Sequence, residues 1–193
     1  MNYAETSERL TAYRRQIETL RQEMRALQAE VEPDSVEDYR FRTPDGEVTL
    51  SALFGDKPEL FVIHNMGKGC SYCTLWADGF NGVAEHLANR AAFVVSSPDD
   101  PQTQEAFRAS RDWRFRMVSH QGSSFAADMG FQKDGRWWPG VSVFRKTGAA
   151  IVRLADAGFK PGDDFCTTWH LLDLLPEGAA GWRPKYDYSK AAA

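Results

Sequence analysis

The chain has 193 residues, which suits one domain with an appendage or one large domain and leaves too little for two full ones. Hydrophobic residues at 42%, aromatics at 12% and charged residues at 26% exclude collagen-like, low-complexity and wholly disordered chains. With 23 Lys and Arg against 27 Asp and Glu the formal net charge is -4, so no global positive field serves nucleic acid or an anionic membrane, and neither is expected as a partner.

The first thirty residues are rich in Glu, Arg and Gln and lack the apolar core of a signal peptide, and hydrophobic runs elsewhere fall far short of the roughly 20 residues that span a bilayer. The expected location is the cytoplasm. Leu10, Tyr13, Ile17, Leu20, Met24, Leu27 and Val31 recur at alternating spacings of three and four, predicting one amphipathic helix over residues 5–31 with a seam of period 3.5. That narrow stripe must be covered by a second copy or by the body of its own domain; the first option predicts a homodimer through residues 5–31. Pro33, Asp34 and Ser35 end the helix, so residues 1–34 read as helix and linker, 35–178 as the main domain and 179–193 as a polar, mobile tail.

From residue 36 the period becomes two. Tyr39 and Phe41, a Pro44-Asp45-Gly46 turn, then Val48 and Leu50 predict a hairpin, after which Ser51 is expected to cap a helical turn through Phe54. Leu60 to His64 is a continuous apolar run of the kind covered on both sheet faces. Leu75, Trp76, Phe80, Val83, Ala84 and Leu87 carry helical spacing to about Arg90, and Ala92 to Val95 form the next strand. Pro98 to Pro101 break the chain and open a helix bearing Ala106, Phe107 and Trp113; Arg116 to Ser119 follow as a third short parallel strand. This β-α-β-α-β order predicts an α/β fold, a mixed or parallel sheet with helices on both faces. Residues 120–138 read as loop and short helix, residues 141–144 and 150–154 as a hairpin, and Phe165 to Leu175 as a closing helix.

Two of the three cysteines, Cys70 and Cys73, sit between a predicted buried strand and a predicted helix. A Cys-x-x-Cys in that context points to redox chemistry, because the leading sulfur meets the unpaired amides and dipole of a helix N-terminus while the second lies one turn on, able to resolve a disulfide. Cys70 is the expected nucleophile, with Lys68 as a further contributor to its thiolate, and Cys73 the resolving thiol. The alternatives are two packed thiols or half a metal site. Zinc wants four ligands and only His64 and His86 stand nearby, so no metal is expected; Cys166, beside Phe165 and Trp169, reads as a packed thiol, and His120 and His170 as bystanders. Nothing in the motifs calls for a cofactor.

Cys70 to Gly79, His86-Leu87, Ala92 to Ser96, Phe107, Trp113 to Phe115, Val118-Ser119 and Gly140 to Phe144 together resemble the family called domain of unknown function 899, grouped with thioredoxin-like and alkyl-hydroperoxide-reductase-like proteins. The likeness spans roughly residues 36–178, and downstream of Ile151 the chain has Arg153 to Asp156 and Phe159 to Gly162 in place of the family's Tyr-Ser and Arg-Gly pattern. The resemblance implies a thioredoxin-like fold and a dithiol activity. Pro139 precedes the Val141 strand where thioredoxin-like folds place a cis-proline opposite the dithiol, and a cis Trp138-Pro139 bond would offer free strand-like hydrogen bonds to an extended thiol substrate. Trp76, Trp138 and Pro139 are the candidate substrate-binding residues, Trp76 otherwise serving as core or shield, and Asp78 is the candidate proton acceptor for the Cys73 thiol.

Thiol-disulfide exchange is therefore the leading expectation, with a protein or small-molecule disulfide or thiol as substrate and an external reductant as partner. A peroxiredoxin-like peroxidase is the second, encouraged by Leu50 to Phe54 and opposed by His64 to Gly69, which lack the Pro and Thr or Ser expected before a peroxidatic cysteine. A non-catalytic adaptor that dimerises through the long helix is the third.

Overall fold

Asn2 starts the first helix: its side-chain oxygen accepts the Glu5 amide at 2.9 Å while the Glu5 carboxylate accepts the Asn2 amide at 3.2 Å, a capping box that satisfies two end donors at once. Helix α1 runs from Tyr3 to Glu30, slightly earlier than the apolar spacing predicts, because the polar cap sets its start and the seam does not. The structure is a computed structural model describing residues 2–148 and 150–189, and the chain divides into two units, 1–34 and 35–193. Among the described residues no helix is long and apolar enough to cross a membrane.

The main unit is built on an eight-stranded mixed sheet. Its elements are β1 (Asp34–Val36), β2 (Arg40–Thr43), β3 (Gly46–Thr49), α2 (Leu50–Leu53), β4 (Glu59–His64), α3 (Ser71–Arg90), β5 (Ala92–Ser97), α4 (Pro101–Ser110) and β6 (Arg116–Ser119). There follow α5 (Phe125–Asp128), a separate ribbon of β7 (Gln132–Lys133) and β8 (Arg136–Trp137), then β9 (Gly140–Thr147), β10 (Ala150–Gly158) and α6 (Thr167–Leu172). The strand order is β1-β10-β9-β4-β5-β6-β2-β3, with β4, β5 and β6 parallel and β9 antiparallel to β4. This is the thioredoxin-like α/β arrangement that the resemblance implies.

The β4 run is apolar at successive positions because both faces of the sheet are covered. Leu60 and Val62 join Val94, Val118, Phe125 and Phe144 in one core, while Ile63 joins Val95, Trp76, Trp113 and Phe159 in the other. The parallel strands β4 and β5 are in register from Leu60 with Ala92 to His64 with Ser96, so both end together at the edge where α3 begins.

Three local expectations need correction. The cap of α2 is Thr49, whose hydroxyl accepts the Ala52 amide at 3.3 Å; Ser51 instead gives its amide and hydroxyl to the Asp38 carboxylate. Helix α6 covers only Thr167–Leu172, the flanking residues forming turns. The tail is docked at several points: Trp182 meets Trp169 at 5.9 Å between ring centroids, Pro184 is buried and Tyr186 meets Phe107 at 6.4 Å. Trp182 thereby packs against the core cluster that contains Trp76, Phe159 and Trp169.

Candidate active site

Strand β4 delivers the chain into a loop, residues 65–70, whose shape is fixed by hydrogen bonds to the next strand. The Asn65 amide donates to the Ser96 carbonyl at 2.8 Å, the Asn65 side chain accepts the Gly67 amide at 2.8 Å, and the Asp99 carboxylate accepts the Lys68 amide at 2.8 Å. Gly67 has φ +99°, and a Cβ there would meet the Asp99 carboxylate at 2.9 Å, so only glycine suits the position. Its carbonyl accepts the Cys70 amide at 3.1 Å and brings that residue to the N-cap of α3.

Cys70 then acts as the cap itself. Its sulfur accepts the Cys73 amide at 3.0 Å, as a serine oxygen would at a helix start. Cys70 is half-buried, Cys73 is 2% exposed and both thiols are free. A hydrogen bond from the Cys73 thiol, outweighing burial and helped by the Cys73 and Tyr72 amides, lowers Cys70 to about 7. Cys73 is driven the other way, chiefly because its thiol donates to Cys70 and then because it is buried, although the Met66 amide lies 3.5 Å from its sulfur. Ionisation of the pair is therefore directed to Cys70, with the proton kept on Cys73. Lys68 is exposed, and the groups that depress Cys70 are Cys73 and the helix amides.

Behind Cys73 the chain closes up. Ile63, His64, Asn65, Trp76, Ala77, Pro139 and Phe159 line a crevice too narrow to admit a water molecule. Trp76 is buried with its indole N–H on Asp163 at 3.3 Å, and Asp163 also accepts the Lys160 and Phe165 amides at 2.9 Å each.

The family described as "Bacterial protein of unknown function (DUF899)" matches residues 4–191. The chain belongs to that family. No curated protein matches the sequence. Among solved structures, the DUF899 chain is similar to peroxidoxin BcpB from Mycobacterium tuberculosis, with 22% identity, a TM-score of 0.57, and 65% of this chain and 84% of that one covered. It is similar to the bacterioferritin comigratory protein of Xanthomonas campestris, with 15% identity, a TM-score of 0.52 and coverage of 62% and 79%. Reduced Prx3 of Vibrio vulnificus, solved with hydrogen peroxide, gives 14% identity, a TM-score of 0.53 and coverage of 69% and 87%. At such identities these likenesses establish the fold.

Of the residues singled out in this DUF899 sequence, Cys70, Cys73, Trp76 and Pro139 come together, and the others do not. The peptide bond before Pro139 is trans, as are the rest among the described residues. An extended trans geometry is what its surroundings ask for: the Trp138 amide donates to the Phe131 carbonyl and the Pro139 carbonyl accepts the Phe159 amide, both at 2.8 Å. The backbone groups expected to greet a substrate are thus already used. Trp76 faces the core beside Cys73 and is sealed from substrate, while Trp138 is 54% exposed beside Lys133, Asp134 and Arg136. Asp78 is bound to Arg111 through both oxygens and accepts the Trp113 indole N–H at 2.8 Å, so its carboxylate is spoken for away from Cys73.

Two histidines take places that their spacing does not announce. On the sheet face opposite α3, His64 stacks on Phe131 at 3.9 Å between centroids and hydrogen-bonds with Ser142 at 2.9 Å; His120 lies against Trp137 at 4.8 Å and hydrogen-bonds with Ser96 at 2.7 Å. Burial pushes His64 well below the usual imidazole range and His120 down to about 4, so both rings are neutral near pH 7. Cys166 is packed, as its apolar surroundings predict.

Proposed function

We propose that this protein is a thiol-disulfide oxidoreductase of the Cys-x-x-Cys type. The observation that carries the reading is the geometry of the pair at the start of α3, where half-buried Cys70 caps the helix and its Sγ accepts the Cys73 amide at 3.0 Å. The Cys70 thiolate attacks a substrate disulfide, forming a mixed disulfide and expelling one sulfur as a thiolate that takes a proton from solvent. Cys73 then loses its proton, attacks the Cys70 sulfur and releases the second substrate thiol. Two electrons have passed to the substrate, Cys70 and Cys73 are joined, and an external thiol reductant resets the pair. Pro139, which lines the crevice beside Cys73, and exposed Trp138 next to it are the proposed substrate-side residues. The cytoplasm, where glutathione keeps such pairs reduced, suits a resting dithiol.

A peroxidase is the second reading, favoured by the peroxidoxin and peroxiredoxin names of similar structures. In that case Cys70 would take one peroxide oxygen as a sulfenic acid, releasing water or an alcohol, and Cys73 would condense with it to give the disulfide and water. The test is turnover of hydroxyethyl disulfide and of hydrogen peroxide by the Cys70→Ser and Cys73→Ser variants. Exchange predicts loss of disulfide turnover by at least about 100-fold in both, with a trapped mixed disulfide in Cys73→Ser. Peroxide reduction that survives Cys73→Ser while disulfide turnover is absent in the unaltered protein would overturn it.

The seam of α1 has the spacing of a two-stranded coil, and this supports pairing of two copies through residues 5–31. Sedimentation of Leu20→Asp/Leu27→Asp as a monomer, against a dimer for the unaltered chain, is the expected result.

A further inference from the structure

The β7–β8 ribbon is separate from the main sheet and anchored at its roots. Phe131, just before it, is buried with its ring stacked on His64 at 3.9 Å, and Trp137 lies against His120 at 4.8 Å. Asp134 and Gly135, at φ 52° and 70°, close the ribbon through a two-residue turn whose twist matches that of its strands. On this fixed support Lys133, Asp134, Arg136 and Trp138 line a cavity of about 340 Å³, a volume that suits a small molecule.

The charges in that cavity are set against one another. Lys133 and Arg136 stand directly opposite in the ladder, and like charges so placed repel. In the main sheet the same relation joins opposite signs: Arg42 faces Glu47 and Arg145 faces Glu59, the second pair closing to 2.7 Å. Among the described residues the side chains of Lys133, Asp134 and Arg136 have no hydrogen-bond or ion-pair partner, so Asp134 neutralises neither cation. The cavity thus carries one net positive charge in a chain whose net charge is -4, and the exposed Trp138 indole gives it an apolar face.

An anion between the two cations removes their repulsion. The planar fork of an arginine and the ammonium of a lysine both suit a carboxylate, and an indole offers a flat surface to an apolar body. We propose that this cavity is a binding site for a small organic carboxylate with a flat apolar body, the acid held by Lys133 and Arg136 and the body stacked on Trp138. Asp134 on the same wall opposes a multiply charged ligand, so a monoanion is preferred. The inference concerns binding and stands independently of the exchange reading.

The test is calorimetric titration of the full chain at low salt with naphthalene-2-carboxylate, and with naphthalene-2-carboxamide as its uncharged counterpart. The carboxylate binds one to one with a Kd of about 1 mM or tighter, and the amide at least about tenfold more weakly. Lys133→Gln/Arg136→Gln weakens carboxylate binding at least about tenfold and Trp138→Ala at least about fivefold, whereas Trp138→Phe, which keeps an aromatic face, stays within about threefold. Arg114→Gln removes an exposed positive charge from another part of the surface and leaves the affinity within about twofold. Where near-ultraviolet circular dichroism shows Trp138→Ala to be misfolded, Trp138→Gln carries the same comparison. Absence of saturable binding, equal affinity for the amide, or an affinity unchanged in either the double variant or the folded Trp138 variant overturns the proposal.

Discussion

Cys70 and Cys166 both stand at the N-cap of a helix, with similar extended backbones at φ -106° and -134°, yet only one of them has the environment of a working thiol. Cys70 takes the amide three residues ahead onto its sulfur; Cys166 makes no such capping bond. Cys70 is half-buried at an edge where two parallel strands end, whereas Cys166 is 5% exposed among Trp76, Phe159 and Trp169. The difference teaches that a helix start alone does not ready a cysteine. Three further conditions are met at residue 70: an amide aimed at the sulfur, a neighbour that keeps the proton, and a way in.

The largest expected effect tests that contrast directly. Native protein treated with iodoacetamide at pH 7 is labelled at Cys70 at least about 100-fold faster than at Cys166, and the gap closes in guanidinium chloride. Comparable rates in the folded state would erase the distinction. A finer cut asks which of the three conditions matters. Because the Cys73 thiol is the largest influence lowering Cys70, Cys73→Ala moves the alkylation midpoint of Cys70 up from about 7 by about one pH unit, reducing its thiolate fraction at pH 7 about fivefold. A midpoint that stays put would transfer the credit to the helix amides.

A third prediction contrasts the two sheet faces. His120 has its folded value near 4, below its ordinary 6.5, so between those values the unfolded chain takes up a proton that the folded one refuses. Stability is then fully present above pH 6.5 and declines as pH falls, by about 2–3 kcal/mol at pH 4.5 relative to pH 7, with His64 acting in the same direction. Chemical denaturation at the two pH values checks this, and His120→Gln flattens the slope. The smallest effect belongs to Cys166→Ser: a buried hydroxyl in an apolar site costs about 1–3 kcal/mol of stability, and disulfide turnover stays within about twofold.

Strands β4 and β5 were readable because their neighbours on both faces demand uninterrupted apolar runs, and the dithiol because strand, loop and helix follow one another locally. Local signals also misled. Thr49 and Ser51 are both competent caps, and the choice between them is made by Asp38, which occupies Ser51. The β7–β8 ribbon did carry a mark in Asp134 and Gly135, both at positive φ in its turn, but strands of two residues show no period. Asp78 is assigned by a partner 33 residues away, Arg111, and no helical spacing encodes that. The docking of Tyr186 on Phe107 lies further still from anything a window of sequence reveals.

The dry crevice behind Cys73 has a consequence for the order of events. With Ile63, Trp76, Pro139 and Phe159 lining a crevice that admits no water, Cys73 is shielded from solvent while Cys70 is only half-buried. On the exchange reading, the second half of the cycle is silent until the first sulfur has been engaged, so any oxidant meets Cys70 first and Cys73 acts only on what Cys70 has already bound. Timing of this kind is a property of packing, and it would persist whatever substrate the protein meets.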